Sequence, residues 1–237
     1  MKTLLSLSLM IICINACYSQ NVEEILDKAA SVIGYQAENK IESMIISREI
    51  LMENGIRARA ITHYKKGGKL LVTTSIKEQS VDMKTIQGCN GTFCYSYDPM
   101  MGLRFIDGQE KEMVISQNSW TDWRDLYTKS ELLGNEEIDN QKTYKIKLIS
   151  ESGMEVINFY DVESYLLIRS DVTTKTAAGK FTTLSTFSNY SIFENGIVMA
   201  KKVETSVNDR TLITILDNVE FNVEISEEKF IIPEQLK

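Results

Sequence analysis

From residue 41 onward, apolar and polar positions alternate with a period of two in one stretch after another. The alternation predicts half-exposed antiparallel strands over 41–52, 56–65, 69–77, 80–88 and 92–97. It resumes over 143–150, 154–161, 165–174, 180–193, 197–207 and 210–223. In the second of these, Ile56, Ala58, Ala60, Thr62 and Tyr64 share one face, and Arg57, Arg59, Ile61 and His63 the other. Turn signals separate the runs: Lys66-Gly67-Gly68, Asn90-Gly91, Ser152-Gly153, Asp161 to Ser164, Ala177 to Gly179, Asn195-Gly196 and Asn208-Asp209. About ten to eleven strands at such intervals make a barrel or a sandwich of antiparallel sheet.

Two segments break the period. Val22, Ile25, Leu26, Ala29, Val32 and Ile33 recur at helical spacing, with Asn21 and Glu24 at capping-box distance and Gly34 as a stop. The other break is 109–128, where "NSWTDWRDLY" places Ser119 and Asp122 at cap spacing and Trp120, Trp123 and Tyr127 on one side of a short helix. Beside it stands "CYSYDPMMGLRFIDG", with Met100 and Met101 at a turn between two short apolar runs. Met100, Met101, Met113, Trp120 and Trp123 are apolar side chains at places where water is expected. Two readings stay open: they close one end of the core, or they rim a cavity for a ligand with an apolar body. "FIIPEQLK" ends the chain, with Pro233 suited to an edge.

Composition narrows the classes. The 237 residues are 43% hydrophobic with a net charge of −7, and no Lys/Arg block is long enough to grip phosphates, which argues against nucleic acid. Residues 1–19, with Lys2 and then an apolar run from Leu4 to Ile14, are too short to span a bilayer and fit a secretory signal, so the expected compartment is the periplasm. An alternative start is a lipidated Cys17, since Ile14-Asn15-Ala16-Cys17 approximates a lipobox. Beyond the signal two cysteines remain, Cys89 and Cys94, flanking Asn90-Gly91. A two-residue turn there puts Cys89 opposite Thr92 and Cys94 diagonally across, close enough for a disulfide; two buried thiols are the alternative. The chain has one histidine, His63, in mid-strand. No nucleophile elbow, zinc-ligand set or phosphate loop accompanies it, so no catalytic residue, metal or cofactor is assigned. A carboxylate pair brought together by folding is the one enzymatic reading left.

The order of elements, with "NGTFCYSYDPMMGLRFIDGQE" in the middle, "LLGNEEIDNQKTYKIKLISESGMEVINFYDVESYLLIRSD" after it, and "NYSIFENGIVMAKKVE" to "FIIPEQ" at the end, resembles the outer-membrane lipoprotein-sorting proteins, the LolA/LolB-like superfamily, in its Bacteroidetes-type LolA-like branch. The resemblance covers nearly all of residues 20–237 and implies one domain. It implies an open, strongly curved antiparallel half-barrel with an N-terminal amphipathic helix and a short helical plug on the concave side. The implied function is a non-catalytic periplasmic carrier that takes acyl chains of lipoproteins or other lipids into an apolar concave cavity. It implies a monomer with a lipidated protein or lipid as ligand, and transport components of the inner and outer membranes as partners. In that arrangement Trp120, Trp123 and Leu126 belong to the plug, and Met100, Met101, Leu103 and Phe105 form a hairpin at the cavity mouth, with Met113 close by. A lipid-sensing or protein-interaction module on the same fold is the competing reading.

Overall fold

The computed structural model describes residues 21–35, 41–78, 81–118, 120–176, 179–208 and 210–232. Within them the alternating runs form one antiparallel sheet of 13 strands. These are β1 (Ser43–Met52), β2 (Arg57–Lys65), β3 (Lys69–Glu78), β4 (Val81–Asn90), β5 (Cys94–Asp98), β6 (Gly102–Ile106), β7 (Lys129–Ile138), β8 (Gln141–Ile149), β9 (Glu155–Asp161), β10 (Leu167–Thr176), β11 (Gly179–Ile192), β12 (Val198–Val207) and β13 (Arg210–Phe221). Their order is β6-β5-β4-β3-β2-β1-β13-β12-β11-β10-β9-β8-β7. The chain builds one wing from β1 out to β6, crosses, and returns from β7 to β13, which pairs with β1. The two free edges, β6 and β7, are therefore consecutive in sequence. Among the described residues, α2 (Gly108–Asn118) and the single turn α3 (Trp123–Leu126) are the elements between them.

That crossing reveals the curvature. Helix α2 packs against both β3 and β10, six strand positions apart. Six spacings of about 4.8 Å would put those strands about 29 Å apart in a flat sheet. The 11 residues of α2 span only about 16 Å at the α-helical rise. The sheet must curl around the helix, and its two edges stay open.

The concave, inner face also receives α1 (Val22–Val32). Asn21 caps it, its side chain accepting from Glu23 N–H, and Ile25, Leu26 and Ala29 are buried. Ile25 and Leu26 pack on Ile146, Leu148, Val156 and Val172 of the β7–β10 wing. Past the helix, Gly34 has φ +83, and a Cβ there would approach Gly196 O to 2.7 Å. Only glycine lets the helix end dock this closely on the β11–β12 connection, where Val198 N–H donates to Ile33 O.

The outer face of the other wing is covered by the C-terminal segment. Ile225, Phe230 and Ile232 are buried against Leu71, Ile86 and Tyr95. Tyr95 lies flat over Gly88, where an added Cβ would fall 2.5 Å from the ring. Glu227 clips the segment to β2 and β3, accepting from Lys65 Nζ at 2.6 Å and Lys69 Nζ at 2.5 Å.

Several expectations need correction. The sheet has 13 described strands rather than ten to eleven. The missed members are β6, read as part of a mouth hairpin, and β7, whose "KSELLGNEEI" lacks a clean period because it is an exposed edge broken by a bulge at Leu132/Gly134. The main inner helix is Gly108–Asn118, ahead of the tryptophans, and α3 starts at a cap from Asp122. The Cys89–Cys94 loop is four residues long. Asn90 Oδ1 accepts from Thr92 and Phe93 N–H, so Cys89 faces Cys94 directly instead of Thr92. The signal at 1–19, and Ser119, Ala177, Asp209 and Pro233, lie outside the described residues.

Candidate functional site

Strand register fixes what the inner face presents. Arg48 stands opposite Ala60 of β2 and Leu216 of β13; Ile50 opposite Ala58 and Thr214; Met52 opposite Leu212. The same line continues through Val203 of β12 and Phe187 of β11. Toward one end of the strands the face is filled: Met44, Ile46, Leu70 and Val72 are buried with Val114 of α2. Toward the other end it is not. Ile50, Met52, Ile76, Met83, Phe187, Val203, Leu212 and Thr214 are only half-buried. A cavity of about 890 Å³ opens at this rim, lined by Met52, Glu53, Asn54, Val207, Asn208, Arg210, Thr211 and Leu212. Its size falls in the range of small-ligand sites, and Met52, Val207 and Leu212 give it apolar walls.

Helix α2 is an unusual plug. Its pattern is weakly amphipathic and it buries one residue, Val114. Polar contacts hold it instead. Glu112 accepts from Ser150 Oγ at 2.5 Å, from Ser152 N–H at 3.1 Å and from Ser152 Oγ. Gln109 accepts from Lys175 N–H at 2.7 Å and donates to Ser152 O at 3.1 Å. Arg104 of β6 makes a two-pronged pair with Glu110. The helix is thus strapped to both wings by groups that water could replace.

The tryptophan segment ties the plug to α1. Tyr64 Oη donates to Trp120 O at 3.1 Å, and the Trp120 and Tyr35 rings stack with centroids 6.3 Å apart. Trp123 Nε1 donates to Asp27 Oδ1 at 3.3 Å; Arg124 pairs with the same oxygen at 2.6 Å and lies 4.4 Å from the Trp123 ring. Asp27 in turn raises the Arg124 pKa. Burial pushes the Tyr160 hydroxyl up to about 12, and the Tyr127 and Tyr190 hydroxyls also upward. These phenols stay neutral at physiological pH, so they add hydrogen-bonding groups but no charge.

The structure divides the residues singled out from sequence. Met113 and Trp123 pack in the α1 cluster and Trp120 in the α2 cluster, while Leu126 is half-buried in α3, so these four belong to the plug region. Met100 and Met101 are 88% and 68% exposed at the tip of the β5–β6 hairpin. Leu103 and Phe105 pair with Tyr97 and Tyr95 and so face outward; Leu103 packs in the outer cluster. The hairpin's parity, invisible in so short a run, turns Leu103 and Phe105 to the outer face. Cys89 and Cys94 form a disulfide on the inner face, in the cluster around Val114. His63 faces outward, where burial and Lys229 hold its pKa below the usual value. The half-buried inner-face residues Ile50, Phe187 and Val203, and the cavity residues Met52 and Leu212, were present in the sequence only as ordinary strand alternation.

No family model matches the sequence, and no curated protein matches it. Solved structures do. A LolA superfamily protein from Nitrosomonas europaea superposes with a TM-score of 0.60 at 11% identity, over 89% of this chain and 97% of that one. A DUF1329 family protein from Desulfovibrio piger gives 0.59 at 14% identity, over 91% and 99%. A domain assigned to outer-membrane lipoprotein sorting, from Vibrio parahaemolyticus, gives 0.55 at 14% identity, over 89% and 97%. The crossing helix, the open edges and these full-length superpositions lead to one conclusion: the chain has a LolA-like fold.

Proposed function

We propose that the protein is a periplasmic carrier that holds acyl chains, of lipoproteins or of other lipids, in the inner-face hollow and delivers them toward the outer membrane. One observation supports this reading: toward one end of the strands the apolar inner-face positions stay half-buried, and a cavity of about 890 Å³ opens at that rim. Removing an acyl chain from water gains about 0.8 kcal/mol per methylene, so such a surface needs no chemistry to bind lipid. The fold shared with a protein assigned to lipoprotein sorting supports the same direction. Residues 1–19 serve as the export signal. Trp120, Trp123, Met113 and Leu126 form the inner wall that yields to the ligand, and transport components of the two membranes are its partners.

The test is lipid extraction from protein purified without detergent, followed by mass spectrometry. Acyl-bearing species at near-stoichiometric amounts are expected; protein free of lipid that also fails to take up a hydrophobic dye contradicts the proposal. A protein-interaction role draws support from the exposed Met100, Met101 and Phe105 on the outer hairpin. A pull-down yielding one stoichiometric protein partner and no lipid would favour it.

A further inference from the structure

The cavity at the rim carries a charged collar that a purely apolar surface does not require. Met52, Val207 and Leu212 give its lining an apolar part, and Glu53 and Arg210 a part with one charge of each sign. Strand register brings the two charges to one mouth. Met52 pairs with Leu212, and Val207 with Arg210. Glu53 follows Met52 in the turn after β1, and Arg210 opens β13, the strand beside β1. Among the described residues neither forms an ion pair. Charges elsewhere on the neighbouring strands do: Arg59 of β2 with Asp217 of β13, and Lys202 with Glu204 along β12. Glu53 and Arg210 are both exposed, while Met52, Val207 and Leu212 beside them are half-buried. The mouth therefore changes from apolar wall to paired opposite charges within a residue or two of chain.

A head group of one sign meets one partner and one opponent at this collar. An anionic head is attracted by Arg210 and repelled by Glu53, on a chain whose net charge is −7. A cationic head meets the reverse. A head that carries both charges is attracted by both residues. We propose that the collar holds a zwitterionic head, a phosphate ester bearing a primary amine, at the end of an acyl chain laid against Met52, Val207 and Leu212. The Arg210 guanidinium has the forked donors that suit a phosphate, and the Glu53 carboxylate accepts from the ammonium. Because both residues are exposed, each contact contributes modestly, and the collar sets the choice among heads more than the affinity for the chain. The inference rests on the carrier reading and names the ligand class of that same site.

The test is displacement of a neutral fluorescent probe, N-phenyl-1-naphthylamine, from the purified protein by three lipids that share an oleoyl chain and differ in the head. These are lysophosphatidylethanolamine, which is zwitterionic, lysophosphatidylglycerol, which is anionic, and monooleoylglycerol, which is uncharged, each below its micellar concentration. Two exposed ion pairs predict that the zwitterion acts at a concentration about threefold to tenfold below the other two. Glu53→Gln should bring the anionic lipid level with the zwitterion, because the repulsion is gone along with the ammonium's partner. Arg210→Gln should leave the zwitterion no better than monooleoylglycerol. Should one variant not fold, as judged by circular dichroism, the wild-type order and the other variant decide. Any wild-type order that the zwitterion does not lead, or a lead that the folded variants keep, overturns the collar alone. Displacement by none of the three overturns the carrier reading and the collar with it.

Discussion

The C-terminal segment and α2 cover the sheet in opposite ways. On the outer face the C-terminal segment lays Ile225, Phe230 and Ile232 into a cluster with Leu71, Ile86 and Tyr95, all buried. On the inner face α2 buries Val114 alone and is held by Glu112, Gln109 and the Arg104–Glu110 pair. Apolar burial is lost when an element lifts into water, whereas hydrogen bonds lost to a strap can be remade with solvent. The outer cover, like α1 with its buried Ile25, Leu26 and Ala29, is therefore part of the core, and α2 is the part of the inner cover that a ligand can push aside. The same backbone alternation supplies both faces; what differs is how much of each the chain fills itself.

The largest effect tests the outer side. Phe230→Ala should cost about 3–5 kcal/mol in chemical denaturation, the range for truncating a buried aromatic, while probe affinity of the remaining folded protein stays unchanged. A loss under 1 kcal/mol would mean the segment is not core. Next, Glu112→Ala removes the acceptor of three hydrogen bonds and should cost about 1–3 kcal/mol. Amide exchange should rise over 108–118 and not over 223–232; uniform exchange would erase the distinction between the covers. Third, Leu212→Glu at the rim should weaken binding of a neutral hydrophobic probe at least about tenfold, since an acyl chain would then meet a charge. Its stability cost should stay below about 1 kcal/mol because the site is half-exposed. Probe affinity equal to wild type would empty the hollow of meaning.

The smallest effect is a pH response of the outer clip. Hydrogen bonds from Lys65 and Lys69 hold the Glu227 carboxylate below its ordinary 4.5. A depressed folded value contributes stability above the unfolded pKa and loses it as pH falls through the folded one. Exchange over 223–232 should therefore be flat at neutral pH and rise only below about pH 4. A rise already at pH 6 would point elsewhere, to His63 beneath the same segment, whose lowered pKa puts its loss of stability below about 6.5.

Much of this architecture was legible in the residues, and the gaps have physical causes. Helix α1 announces itself because it buries a continuous stripe, with Asn21 and Gly34 at its ends. Strand alternation is equally plain wherever one face meets core. It fails at β7, an edge with little to bury, and at α2, whose fixings are polar and give no periodic signal. Parity is the deeper limit. Arg48 and Arg57 look alike as arginines in neighbouring strands. The register turns Arg48 to the inner face, and Arg57, paired with Leu51, outward and exposed. The same limit sent Leu103 and Phe105 to the wrong side, since a five-residue strand with apolar residues on both parities carries no mark of which face is concave.

Methyl NMR of the isoleucines and methionines during a titration with oleate bears most directly on the hollow. The account predicts shifts at Ile50, Met52 and Met83 on the inner face, with Ile225 and Ile232 on the outer face unmoved. Shifts confined to the outer cluster, or none at saturating ligand, would contradict it.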